Sequence, residues 1–164
     1  MHSADHDRDL TAEEIRGIPE VAELPEGSRV LYTRSWGTYD GTRFDGIDPS
    51  ALYDAFFVCP QPFLGVATWL EQHLAALGWP SGSDVTSARV GDVRTGWRQW
   101  SREKEEIDLI DFSESTWTGF AKPPDGWSLV RINYSRKPAR DFASEDEYQS
   151  WFKDGAGKGD RWRR

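Results

Sequence analysis

Two residues in this sequence could form a nucleophile and its base. Cys59 is the only cysteine, and His73 is the only histidine beyond residue 6. A thiolate becomes a nucleophile when a base lies within hydrogen-bond reach, or when a helix N-terminus lowers its pKa. Both residues fall in the stretch FFVCPQPFLGVATWLEQHLAALGWP at 56–80. A helix starting near Pro62 puts His73 nearly three turns along, about 16 Å away at ~1.5 Å per residue. The pair meets only if the PQP turn folds Cys59 back along that helix. A free cysteine behaves as a small buried hydrophobe, so Cys59 is expected in the core. His73 stays the one catalytic candidate, with a hydrogen-bonded core position as the simpler alternative.

Carboxylates are the next group to weigh. Asp40, Asp45 and Asp48 lie in a glycine-containing loop and could hold a hard cation through oxygen. Their spacing does not match a calcium-binding loop, and turn chemistry accounts for them better. His2 and His6 sit in a polar arm with no Cys-x-x-Cys nearby, so no metal site and no cofactor are expected. In EKEEIDLIDFSE, alternation puts Glu106 and Asp108 on one strand face with Ile110 and Phe112, and Asp111 on the other with Ile107 and Leu109. They read as solvated acids, not as a glycosidase-like couple. The chain has no phosphate-binding Gly-Lys-Ser/Thr loop, no dinucleotide fingerprint and no nucleophile elbow; GAGKG at 155–159 follows the last expected helix, not a strand.

Tryptophan is the remaining resource, with nine in the chain. Trp97, Trp100, Trp117 and Trp127 fall in the strand-rich half and are the candidate binding residues. Trp97 and Trp100 are three apart, so on a strand they face opposite ways. Exposed rings beside acids suit a protein interface or an apolar or sugar ligand, whereas inward rings are core filler.

The elements that must position these residues follow from periodicity. Residues 62–77 form the main helix: Val66, Leu70, Leu74 and Leu77 make one apolar arc, with Gly78 and Pro80 just past the end. His73 falls inside that arc, and Thr68, Glu71 and Gln72 fall outside it. SRVLYTRSW reads as a strand, Asp40-Gly41 as a hairpin turn and TRFDGI as the returning strand. DPSALYDAF reads as a short helix with Asp48 as N-cap and Pro49 first in the helix. TAEEI near the start is a capped helical turn, with Thr11 reaching towards Glu14. Strands are expected near Trp97–Arg102, along EEIDLIDFS, and along GWSLVRINYSRKP with Val130, Ile132 and Tyr134 on one face. SEDEYQSWF is a capped C-terminal helix at about 144–153.

Grouped strands with few helices give an α+β fold: a mostly antiparallel sheet of about 4–6 strands, the 62–77 helix on one face and the 144–153 helix closing the domain. Residues 1–26 are expected to be a mobile acidic arm, 27–153 a single globular domain and 154–164 a flexible basic tail.

Charge and composition narrow the function. The formal net charge of the 164 residues is −8. An acidic body disfavours nucleic-acid binding. The chain has no apolar run of membrane-spanning length, no secretory leader and a single cysteine, so a cytoplasmic protein is expected. Arg outnumbers Lys 15 to 5, the usage of a GC-rich genome. Two functional readings remain. One is an acidic interaction module gripping a basic protein partner, in the manner of an antitoxin, immunity protein or regulator. The other is a small-molecule site or enzyme pocket between helix and sheet, lined by His73 and Trp residues.

Overall fold

A computed structural model describes residues 8–40, 49–86, 88–91, 93–115 and 118–139. Two short helices open the chain, α1 (Ala12–Arg16) and α2 (Pro19–Ala22), followed by strands β1 (Arg29–Trp36) and β2 (Ala51–Cys59). Helix α3 (Phe63–Ala76) comes next, then β3 (Ser83–Asp84), β4 (Arg89–Val90), β5 (Val93–Arg94), β6 (Trp97–Arg102), β7 (Glu105–Asp111) and β8 (Ser128–Arg136). Six strands form one antiparallel sheet in the order β1-β2-β8-β7-β6-β3, while β4 and β5 make a separate small hairpin. The fold is α+β with one main helix. Among the described residues no helix is long and apolar enough to cross a membrane.

One face of the sheet carries the main core. Tyr53, Ala55 and Phe57 of β2, Trp100 of β6, Ile107 and Leu109 of β7, and Val130, Ile132 and Tyr134 of β8 pack with Val66, Leu70 and Leu74 of α3. Helix α3 ends as its glycine predicted. Gly78 takes φ +89, Trp79 N–H donates to Leu74 O at 2.9 Å and Gly78 N–H to Ala75 O at 3.0 Å. That pair of bonds satisfies carbonyls the last turn would otherwise leave open. The opposite face holds a smaller cluster, with Val90, Ile110, Phe112 and Leu129 buried and Phe56, Val58 and Trp97 packed against it.

Several expectations change. Residues 51–59 form a strand, not a capped helix. Ala51, Tyr53, Ala55, Phe57 and Cys59 alternate into the main core, and β2 lies between β1 and β8. Burial on both faces favours the two-residue period over the local N-cap signal. β1 therefore pairs with β2, from Arg29↔Val58 to Trp36↔Leu52; TRFDGI, the expected returning strand, lies outside the described residues. The capping box at Thr11 and Glu14 is present, but the segment it belongs to is no free arm. Leu10, Ile15 and Val21 are buried in the main core, which fastens residues 10–21 to the domain. The helix expected at 144–153 and the tail at 154–164 lie outside the described residues.

Polar side chains also fasten the layers. Glu71, expected on the solvent side of α3, accepts at Oε1 from Arg98 Nη2 (2.8 Å), Trp100 Nε1 (3.1 Å) and Gly82 N–H (3.1 Å). Burial alone would raise its pKa, but these bonds outweigh it and hold the carboxyl below its ordinary range. At the end of β7, Glu105 accepts from Arg102 Nε (3.0 Å), Tyr134 Oη (2.6 Å) and Arg136 Nη2 (3.3 Å). Arg102 also reaches Glu20 at 3.0 Å, and Arg136 Nη1 donates to Arg8 O at 3.1 Å. This interior ion network thus ties the N-terminal segment to the sheet.

Candidate functional site

His73 points inward, but towards the N-terminal segment and not the sheet. Its Nε2 lies 2.8 Å from Pro19 O, its ring stacks on Trp69 at 4.7 Å, and Glu23 Oε2 is 3.6 Å away. Its surroundings are those of a packing residue under α2. Cys59 is fully buried, and its thiol makes no hydrogen bond among the described residues. Asp45, Asp48 and Trp117 lie outside those residues, and within them no three His, Cys or acidic side chains converge.

The acids of β7 are not solvated as a group. Asp108 is buried, and its Oδ1 accepts from Trp97 Nε1 and Gln99 Nε2, both at 2.9 Å. Desolvation, reinforced by the Asp108 charge, raises the pKa of Glu106. Asp111 Oδ1 accepts from Ser113 N–H (3.0 Å) and Ser113 Oγ (2.6 Å), closing the turn after the strand. Of the tryptophans, Trp97 and Trp100 do face opposite ways: Trp100 is in the main core and Trp97 in the cluster behind it. Trp127 is exposed.

The feature with chemical potential lies on the face without helices. Register brings Phe56, Arg131, Ile110 and Trp97 into one row across β2, β8, β7 and β6. Arg34 and Asp54 face each other in the next row, across β1 and β2. The β4–β5 hairpin closes over this surface, held by a Thr95 N–H bond to Ala88 O (3.2 Å) and by the Thr95 hydroxyl donating to Asp111 O. Its two-residue turn begins at Gly91, whose φ of +62 suits glycine. Between hairpin and sheet lies a cavity of about 400 Å³, a volume suited to a small ligand.

Its lining divides by character. Phe56, Val90, Trp97, Ile110 and Phe112 are the apolar part, and Phe56 meets Phe112 edge-on at 5.2 Å. Arg34, Asp54, Arg131 and, at the rim, Arg89 are the charged part. Asp54 is only 1% exposed and is held from two sides. Arg131 donates Nε to Oδ1 (2.6 Å) and Nη2 to Oδ2 (3.2 Å), while Arg34 donates Nε to Oδ2 (3.0 Å). Arg131 also lies 6.0 Å from the Phe56 ring, and Arg34 lies 5.2 Å from that of Trp36. Both Nη groups of Arg34 and Nη1 of Arg131 have no partner among the described residues.

Two guanidiniums on one carboxylate leave this trio with a surplus positive charge, in a protein of net charge −8. An ion cluster built on a buried carboxylate, with guanidiniums 39% and 27% exposed, contributes little net stability, because desolvation of the acid offsets the attraction. What it does supply is a pair of rigidly placed donor forks beside an aromatic wall, suited to a carboxylate or phosphate group. Among the described residues the lining holds no His or Cys, and the oxygens of Asp54, the one acid of that lining, already face guanidinium donors.

No family model, curated protein or solved structure matches the chain. Of the candidate site residues that are described, His73, Trp97, Trp100 and Trp127, Trp97 alone lines this cavity. Arg34, Asp54 and Arg131 were missed because they come from three strands, and only the strand register brings them together. The available signal was Asp54 itself, one acid in the otherwise apolar run ALYDAFFVC.

Proposed function

We propose that the protein is a non-enzymatic binding module for a small organic anion with an apolar or aromatic body, held between the β4–β5 hairpin and the helix-free face of the sheet. The observation that carries this reading is the Arg34–Asp54–Arg131 trio at the wall of an aromatic cavity, with its surplus charge and with both Nη groups of Arg34 and Nη1 of Arg131 lacking a partner among the described residues. A carboxylate meets the Arg34 and Arg131 donors while its hydrocarbon part packs on Phe56, Trp97 and Phe112. Charge-assisted bonds in a partly dry site give orientation, and ring burial gives affinity.

Titration calorimetry with phenylacetate, indole-3-acetate and octanoate tests it. Saturable one-to-one uptake of at least one is expected, weakened about tenfold or more, or about 1.4 kcal/mol, in Arg34→Ala. Absence of saturable uptake of all three contradicts the reading. Grip on a basic protein partner has weaker support: Trp100 is buried, Trp97 gives its Nε1 to Asp108, and exposed Trp127 stands without another exposed Trp among the described residues.

A further inference from the structure

We infer that Asp54 sets the charge of the ligand, making the site selective for a carboxylate monoanion over a phosphate monoester. The inference rests on the anion-site reading above and adds the ligand's chemical class. Asp54 contributes no donor to a ligand. Its side chain is 1% exposed, and both of its oxygens are taken up by Arg34 and Arg131. It acts as a positioning residue in two ways. It orients both guanidiniums, leaving the Nη groups of Arg34 and Nη1 of Arg131 for a ligand. It also cancels one of their two charges before any ligand arrives.

The count then decides the preference. Two guanidiniums and one carboxylate sum to one positive charge, which a bound monoanion neutralises. A phosphate monoester carries about −1.5 to −2 at neutral pH, so it overshoots inside a cavity where the fixed Asp54 charge repels the excess. Asp54 is buried while Arg34 and Arg131 are 39% and 27% exposed, so the close approach of the charges, not exclusion of water, carries the preference, which is largest at low salt. Arg89 adds a third cation at the rim, but its side chain is exposed, so solvent screens it and it does not reverse the count. The planar fork of arginine also matches the two coplanar oxygens of a carboxylate.

Phenylacetate and phenyl phosphate, which share a ring, are the probes. Their dissociation constants are compared at pH 7.5 and low salt for the full chain, for Asp54→Asn and for Arg34→Gln. The wild type is expected to hold phenylacetate at least tenfold more tightly than phenyl phosphate. Asp54→Asn, which keeps the shape and deletes the charge, should shift that ratio about tenfold or more towards the phosphate. Arg34→Gln, which removes a cation, should weaken both and penalise the phosphate more. Equal or tighter binding of phenyl phosphate by the wild type overturns the assignment, as does an unmoved ratio in a folded Asp54→Asn. Should Asp54→Asn fail to fold, the wild-type ratio and Arg34→Gln decide alone. If the wild type takes up neither probe, and neither indole-3-acetate nor octanoate, the anion-site reading itself fails; if it takes up carboxylate and phosphate equally, only the role of Asp54 does.

Discussion

Replacing Glu105 by alanine should be among the most damaging single changes in the domain. The Glu105 side chain has no exposure and lies 3.0 Å from Arg102 Nε and 3.3 Å from Arg136 Nη2, themselves 10% and 6% exposed. It also accepts the 2.6 Å bond from the Tyr134 hydroxyl. Burial first, and the Glu105 charge second, push the Tyr134 phenol far above its ordinary pKa, so it remains the donor. Removing one partner of a buried ion pair strands the other and costs about 3–5 kcal/mol. Arg102 keeps Glu20, so the loss falls mainly on Arg136 and Tyr134. Urea unfolding followed by tryptophan fluorescence measures it. With a slope near 2 kcal/mol/M, the midpoint should fall by about 1.5–2.5 M, and the melting temperature by roughly 6–20 °C. Glu105→Gln, which keeps the shape and loses the charge, should lie between Ala and wild type. A Glu105→Ala midpoint within about 0.5 M of wild type, a loss under about 1 kcal/mol at that slope, refutes the interior network.

Three further outcomes follow from the same geometry. Glu106 has a folded-state pKa raised by burial and by Asp108, so its ionisation opposes folding as pH rises from the ordinary carboxylate range through that raised value. Glu106→Gln should therefore stabilise the protein at pH 7, with the gain fading as pH falls through the raised value and gone below the ordinary carboxylate range; a pH-independent change in unfolding midpoint contradicts this. His73→Ala loses the contact with Pro19 O and the stack on Trp69, a loss of about 1–2 kcal/mol. Differential scanning fluorimetry should show a melting temperature several degrees lower, and an unchanged value contradicts a packing role. Cys59, buried at the end of β2, should react with a thiol reagent only as fast as the domain opens, accelerating with urea; rapid native-state labelling refutes its burial.

The elements legible in the sequence are those whose period agrees with their local signals. Helix α3 has both an apolar arc and a glycine stop, and β8 has the alternation Val130, Ile132, Tyr134, so each lies where periodicity puts it. β2 departs from the helix expected there because Asp48-Pro49 imitates a helix start in sequence, while its strand character comes from the two strands that pair with it, β1 and β8. The N-terminal segment reads as an arm because eight acids are interspersed among its apolar residues. Leu10, Ile15 and Val21 are few, but the main core takes all three. The same logic hid the candidate site. Arg34, Asp54 and Arg131 are unremarkable on their own strands, and they become a charged cluster only through the pairings of β1 with β2 and of β2 with β8.

The most direct test of the anion site is a titration of the uniformly ¹⁵N-labelled protein with phenylacetate, read at the arginine Nε–H and tryptophan Nε1–H signals. The site described here predicts saturable shifts at Arg34, Arg131 and Trp97, with Trp79 and Trp100 unmoved because they lie in the main core on the other face. Shifts confined to Trp79 and Trp100, or no saturable shift at either arginine, would contradict it.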